Sequence, residues 1–451
     1  MSAIRSLALD GKLPLFYDPD INLLTFDGEA ARRLKVPREF KDVLFRYFLG
    51  VRRLTALKQA QQQPQALFIE PWRKCNLACT YCYAESGPGY KTRVDKGKLL
   101  SLLRRYRFSR TLVFGGEPLL DPAFLMEVRK AQDWDSFFLS TNGLLLEAKA
   151  TKELLAMPKV SLQLSLEPAE WNYRVTVTGE KQFDLVRRQL ASLRDRNPNL
   201  RVTFPPDAPH ISVEKFVGDL ADAIGSWKFG ISYWPARAVE PPPWLGKWME
   251  ETYELVRRDD GSKYKGKLPG YHMVDYFGEM EKSTSFFKFF NCNAALGAVA
   301  IGPDNKLHGC HENAVVEGKD DIISTDHNGQ VIDETKRTAL VDKWLAGMTD
   351  RVCGDCPARY LCGGICFILK PPNSVCAFHA DMMPLSLAML LRYKPDEVMG
   401  MVSRSEECFN RVFSRREELA KEVNCKKWNR LLSGALPLAE AVELAGRLLP
   451  G

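Results

Sequence analysis

The 451-residue sequence has no apolar run of bilayer-spanning length, and its start, Met-Ser-Ala-Ile-Arg-Ser, lacks the apolar core of a secretion signal. Both absences argue against insertion or export, so a cytoplasmic protein with no membrane partner is expected. A large charge imbalance is also missing: 63 Lys plus Arg against 56 Asp plus Glu leave a formal net charge of +7. That is mild for the length and excludes the basic signature of a nucleic-acid binder. Internal repeats and low-complexity tracts are absent, apart from the short connector Gln61 to Gln63. With 45% hydrophobic residues, the chain can build two or three domains with real cores and needs no disulfide staples.

Cysteine is not scarce. There are twelve, and without an export signal a reducing, anoxic cytoplasm is the expected setting. Three of them, Cys75, Cys79 and Cys82, form a CxxxCxxC run. Such a triad can wrap a cubane iron-sulfur cluster while supplying three thiolates for four irons, which leaves one iron open to a non-protein ligand. The apolar run 66–71 reads as a strand leading into this loop, and Tyr81 places an aromatic ring before the third cysteine. A second strand, from Thr111 to Phe114, breaks into the turn Gly115-Gly116-Glu117-Pro118.

In the order and separation of these two motifs the chain resembles the radical S-adenosylmethionine (SAM) enzymes. The resemblance implies that the amino acid end of SAM chelates the open iron. It places Gly115, Gly116 and Glu117 near the SAM ammonium group, with the glycines allowing close backbone approach and the glutamate acting as an anionic acceptor. Asn142 and Ser165, at the ends of successive strands, would contact the ribose and carboxylate, and Arg174 would pair with the carboxylate. Taken alone, the Gly-Gly-Glu-Pro segment also reads as an ordinary turn and Arg174 as a surface arginine. Around Arg174 the family's acidic-Gly and His-Asp pairs are replaced by Glu167-Pro168 and Asn172-Tyr173.

Strand and helix patterns alternate after the triad. Helices are expected over 96–108, 121–134, 182–196 and 213–227, and strands over 66–71, 111–116, 137–143, 160–167, 200–204 and 230–234. Six βα-type strands predict a parallel sheet with helices outside, an α/β fold too short for a closed eight-stranded barrel. The resemblance likewise implies an open six-stranded (β/α)6 partial TIM barrel with its site at the strands' C-terminal ends. Tyr233, Trp234 and Arg237, near the strand ends, are further candidates to line the substrate cavity. The expected division is an N-terminal basic, partly helical segment (1–64), the partial barrel (65–240), a linker after Pro241 to Pro243 (241–290), a cysteine-rich region (291–380) and a helical extension (381–451).

In the cysteine-rich region, Cys353, Cys356, Cys362 and Cys366 follow with Cys292 and Cys310 upstream and Cys376 downstream. Together they resemble the seven-cysteine SPASM domain, which carries two auxiliary iron-sulfur clusters. Asn305 stands where that family has glycine, and asparagine tolerates positive φ. A tetrahedral zinc site at Cys353 to Cys366 is the alternative, although it leaves the other three cysteines without a role. The resemblance implies that Cys353, Cys356, Cys362 and Cys376 hold one [4Fe-4S] cluster. Cys292, Cys310 and Cys366 would then hold the other, one ligand short, with His308, His311, Glu312, a distant cysteine or the substrate completing it. Cys408 and Cys425 read as small buried hydrophobes on helices.

The stretch 32–53 carries eight basic residues against two acidic ones at near-helical apolar spacing. It is either a docking helix for an acidic partner or a helix with a solvated charged face. The segment before the first barrel strand is short for the winged-helix peptide-recognition domain of many relatives. The resemblance implies a radical SAM oxidoreductase acting on a peptide or protein substrate and fed by an external ferredoxin or flavodoxin. A dehydrogenase of a sugar alcohol or cofactor precursor is the second reading, and a non-catalytic iron-sulfur or zinc scaffold the third.

Overall fold

The computed structural model describes residues 5–7, 15–18, 20–21, 23–26, 36–196, 198–235, 242–260, 263–265, 267–268, 292–312, 314, 322–324, 331–346, 356, 358–362 and 374–448. Arg237, Cys353 and Cys366, and the side chains of Tyr233 and Trp234, lie outside this description. Two compact units emerge: one joins Gln59–Trp244 to Asn293–Val341, the other joins Met1–Lys58, Leu245–Cys292 and Asp342–Gly451.

The first unit is an α/β partial barrel. Strands β4 (Ala66–Ile69), β5 (Arg110–Val113), β6 (Ser136–Thr141), β7 (Val160–Ser165), β8 (Asn199–Phe204) and β9 (Gly230–Pro235) are parallel and adjacent in sequence order. Helices α2 (Lys96–Arg105), α3 (Pro122–Lys130), α4 (Lys149–Leu155), α5 (Gln182–Leu190) and α6 (Val213–Ile224) alternate with them. Each strand is short and β-branched or aromatic, whereas the intervening segments carry apolar residues at helical spacing, such as Phe216, Val217, Leu220 and Ile224 of α6, all buried. Helix starts are capped by side chains: Asp95 Oδ1 accepts from Lys98 N at 2.8 Å, and Asp121 Oδ1 from Phe124 N at 3.0 Å.

The sheet extends beyond the expected six strands. Strand β10 (Ala298–Ile301) pairs parallel with β4, Val299 opposite Leu67, and β11 (Leu307–His308) pairs antiparallel with β10. This pairing groups residues 293–341 with the barrel, whereas the sequence division began a separate region at 291. The tight turn into β11 uses Asn305 at φ 63°, the left-handed conformation expected of that asparagine.

The second unit contains a three-stranded antiparallel sheet of β1 (Arg5–Leu7), β2 (Leu15–Asp18) and β3 (Leu23–Thr25). Its helices are α1 (Arg38–Ala60), α7 (Leu245–Arg258), α9 (Ser374–Tyr393), α10 (Pro395–Ser414), α11 (Arg416–Val423), α12 (Lys426–Leu432) and α13 (Leu438–Leu448), with α8 (Glu334–Ala346) crossing the division. Helix α7 lies in the stretch read as linker, with Trp248 and Leu255 buried. Helix α1 is no solvated basic helix: Val43, Leu54 and Leu57 pack with Leu419, Trp428 and Leu431. Its arginines are used inside the unit, Arg53 pairing with Asp342 at 2.5 Å and Arg46 donating to the Val423 carbonyl at 2.9 Å. Of the two helical cysteines expected to be buried, Cys408 is half-buried and Cys425 is exposed, capping α12 by accepting from Trp428 N at 3.3 Å.

After β6 the chain turns through Gly143 at φ 81°, where a Cβ would come within 2.5 Å of Leu164 Cδ1 and 2.8 Å of Val186 Cγ2. Gly143→Ala is therefore expected to destabilise the chain by about 2 kcal/mol or more, combining left-handed backbone strain with overpacking. Adding Leu164→Ala should not restore the wild-type denaturation midpoint, because it relieves the contact and leaves the φ strain.

Candidate active site

The C-terminal ends of β4 to β8 surround one pocket lined by Cys75, Cys79, Cys82, Gly115, Gly116, Asn142, Ser165 and Arg174, among others. Five expected cofactor residues, Ser165 among them, and the three triad thiols thus meet in one place. Glu117 is the exception. It is 1% exposed, and its carboxylate accepts from Thr141 Oγ1 (2.6 Å), Asn142 N (2.8 Å) and Leu119 N (2.9 Å). Burial raises its pKa, while these donors oppose the shift. The carboxylate is held inside the protein rather than presented to the pocket.

The turn and the cysteine loop form one joint. Gly116 N donates to the Trp72 carbonyl and Glu117 N to the Lys74 carbonyl, each at 2.9 Å, and the Trp72 indole donates to the Glu117 carbonyl at 2.9 Å. A Cβ at Gly116 would overlap the Lys74 carbonyl, so the second glycine is required by this packing as well as by the pocket. Asn142 links the joint to the triad, its Nδ2 donating to Asn76 Oδ1 at 2.7 Å and approaching Cys75 Sγ at 3.8 Å. Gln182 Nε2 donates to the Ser165 carbonyl at 2.7 Å and to the Asn142 carbonyl, fastening the ends of β6 and β7 together. No specific signal in the sequence marked Gln182.

The thiols suit a cluster. Cys75, Cys79 and Cys82 are free thiols facing one pocket, and the backbone donates to two of them: Leu77 N to Cys75 Sγ and Ser86 N to Cys82 Sγ, each at 3.4 Å. Burial pushes the Cys75 thiol up to about 12 and raises Cys79, so in the bare protein both hold their protons, which metal binding would displace. Among the described residues no three His, Cys, Asp or Glu side chains converge on a single ion. A cubane needs its thiolates distributed around several irons, and the triad fits that requirement.

Arg174 stands beside the triad. Its Nη1 donates to Tyr81 Oη at 3.3 Å, and the Tyr173 and Arg174 backbone N–H groups donate to Glu167 Oε2 at 3.1 and 3.0 Å. The Arg174 Nε is buried without a hydrogen-bond partner, a donor available to an anion. The pocket also contains residues the cofactor reading had not assigned there. His311 and Glu312, considered as ligands of an auxiliary cluster, line it together with Tyr83, Gln163, Arg201 and Thr203. The His311 ring meets Phe68, Phe114 and Tyr83 edge-on at centroid distances of 5.2, 5.1 and 6.5 Å. Only the pairing of β10 with β4 brings that segment here, and such long-range pairing leaves no local sequence pattern. Of the auxiliary cysteines, Cys310 is buried in the first unit, whereas Cys356 and Cys362 pack half-buried against the Leu15, Tyr17 and Leu24 core of the second, which also includes half-buried Cys376.

Residues 69–220 match the Radical SAM superfamily model, and the chain carries a radical SAM domain. It is 32% identical over 128 residues to GTP 3′,8-cyclase of Chlorobaculum tepidum, covering 26% of this chain and 38% of that protein. It is 30% identical over 135 residues to mycofactocin maturase MftC of Mycobacterium tuberculosis, covering 29% and 34%. The chain thus spans little more than a third of the length of these curated relatives. Among solved structures, native anSMEcpe with bound AdoMet aligns at TM-score 0.49 and 16% identity over 80% of this chain and 100% of that one. Streptococcus suis SuiB bound to its precursor peptide SuiA aligns at TM-score 0.44 and 16% identity, covering 67% and 72%. No helix among the described residues is long and apolar enough to cross a membrane.

Behind Gly115 lies Glu70, fully buried, with neither carboxylate oxygen hydrogen-bonded. Burial raises its pKa from 4.5 to about 9, so the folded protein keeps this proton while the unfolded chain releases it. Its contribution is fully present below about 4.5 and is lost as pH rises towards about 9. Glu70→Gln is expected to flatten the fall in stability across that window, as measured by denaturant midpoints at several pH values. An unchanged pH slope would contradict the assignment.

Proposed function

We propose that this chain is a radical SAM oxidoreductase that modifies a peptide or protein, forming a cross-link, a thioether or an oxidised side chain. The observation that carries the reading is the hydrogen-bonded joint that fixes the cysteine loop, the glycine turn and the strand ends around one pocket. When bound, a [4Fe-4S] cluster and SAM supply a one-electron cleavage that yields methionine and a hydrogen-abstracting 5′-deoxyadenosyl radical. The chain's own residues bind and orient. Cys75, Cys79 and Cys82 provide the thiols, Gly115 and Gly116 leave room for the amino end of SAM, and Asn142 and Ser165 offer polar groups at the strand ends. Arg174 would hold the carboxylate, its free Nε being the available donor. Glu117 is a positioning residue, because its carboxylate holds the Asn142 backbone that carries the contact to Cys75. Leu112 and Phe114 keep one wall of the pocket apolar.

The downstream cysteines, Cys292, Cys310, Cys353, Cys356, Cys362, Cys366 and Cys376, are assigned to a SPASM region holding two auxiliary clusters. An oxidation needs an acceptor for the substrate's second electron, and this region would provide it. A ferredoxin or flavodoxin would supply the first electron, and the reducing cytoplasm is the proposed compartment. Similarity to a protein named as a maturase supports the peptide class. Similarity to GTP 3′,8-cyclase supports a second reading, a small-molecule cofactor precursor.

Anaerobic reconstitution with SAM and dithionite is expected to release 5′-deoxyadenosine, and Cys75→Ala to reduce the release to background. Loss of two hydrogens from members of a synthetic peptide pool, read by mass spectrometry, would support the maturase. Consumption of GTP would favour the second reading. No 5′-deoxyadenosine from an iron-loaded wild-type chain would overturn both.

A further inference from the structure

The lumen of the sheet is divided in chemistry. On β4 and β5 the inward side chains are Phe68 and Leu112, followed by Phe114 just beyond β5, whereas β7 and β8 turn Gln163, Ser165, Arg201 and Thr203 inward. The alternation of β8 explains the polar wall: Leu200, Val202 and Phe204 are buried on the opposite face, and the residues between them face the pocket. Arg201 lies directly across from Ser165 in the β7–β8 register.

The Arg201 side chain lines the pocket while staying solvent-accessible, and the protein atoms around it lower its pKa from the usual value. A guanidinium placed there is open to the carboxylate of a ligand. Among the described residues no hydrogen bond or ion pair reaches the Arg201 guanidinium, Glu312 included, while its carbonyl accepts from Leu166 N at 2.9 Å. Arg174 differs, since it contacts Tyr81 and is stabilised by the nearby Cys79 and Glu167, on the triad side. The charges and hydroxyls that favour the Arg201 cation are chiefly Tyr83 and Glu312, towards the segment after β11, with Tyr81 a smaller influence and Arg174 opposing it. Two arginines therefore face one pocket, and SAM brings a single carboxylate.

We propose that Arg201 is the substrate anchor: its guanidinium binds a carboxylate of the peptide, from a side chain or the C-terminus, and so positions the neighbouring C–H bonds in the pocket. The word peptide rests on the proposed function, while the carboxylate rests on Arg201 itself. The planar fork of a guanidinium can engage both carboxylate oxygens, fixing orientation as well as position.

Equilibrium dialysis of the anaerobic, iron-loaded full chain with saturating SAM tests this with three probes. N-acetylaspartate N-methylamide carries only a side-chain carboxylate, N-acetylalanine only an α-carboxylate, and N-acetylasparagine N-methylamide neither. One acidic probe is expected to bind wild type at least about tenfold more tightly than the neutral one, and which of the two does so identifies the source of the carboxylate. Arg201→Gln should abolish that preference, and Arg201→Lys should retain part of it. Equal binding of acidic and neutral probes to wild type would overturn the anchor. So would a preference that survives in Arg201→Gln, or a loss of SAM affinity in that variant as large as in Arg174→Gln. If Arg201→Gln fails to hold iron, Arg201→Lys carries the test, and an undiminished preference there counts against the proposal. Retained acid preference without any mass change in the peptide pool would sink the peptide reading and leave the anchor standing.

Discussion

A single buried carboxylate holds the site together. Glu117 sits where the second barrel strand breaks, and its two oxygens accept from Thr141, Asn142 and Leu119 while its backbone N–H reaches the cysteine loop at Lys74. Three elements distant in sequence are thereby fixed to one point. Hydrogen bonds to a charged acceptor are each worth about 1.5–3 kcal/mol, and leaving their donors unpaired in the interior costs a comparable amount. The position of Asn142, and through it the environment of Cys75, follows from this group. A reactive centre needs a rigid frame, and around Glu117 the frame is a hydrogen-bonded polar network on an apolar barrel.

The remaining polar groups of the lumen divide by whether they are satisfied. Behind the lumen, Glu117, the Gln182 Nε2 and the Glu167 Oε2 accept or donate within the protein and act as struts. Among the described residues the buried Arg174 Nε has no hydrogen-bond partner and none reaches the solvent-accessible Arg201 guanidinium, and both residues line the pocket. Unsatisfied donors at the ends of parallel strands, in a fold whose ligands bind there, are what a site built for anions requires. Glu70 is different, because it lies outside the pocket lining and its unpaired oxygens are accommodated by retaining a proton.

Much of this frame was legible in the sequence. The triad and the glycine turn are contiguous motifs, and strands β4 to β9 appear within a few residues of their expected places because each has a short apolar pattern bounded by turns. Strands β10 and β11 were missed. They are only four and two residues long, and β10 pairs with a strand more than 200 residues away, so nothing local marks them. That omission also displaced His311 and Glu312, which come to the barrel pocket with β10. The sequence identified Glu117 as a carboxylate in a turn but could not reveal which way it faced. Helix α1 was legible as a helix, whereas the inward pairing of Arg46 and Arg53 depends on helices some 300 to 400 residues further on.

The central claim is that Cys75, Cys79 and Cys82 hold a cluster whose open iron receives SAM beside the glycine turn. Electron paramagnetic resonance of the dithionite-reduced, iron-loaded chain, recorded before and after addition of SAM, tests it most directly. The account predicts that the g values of one cluster signal shift when SAM is added and that this signal is absent from Cys75→Ala. A reduced spectrum indifferent to SAM would contradict it.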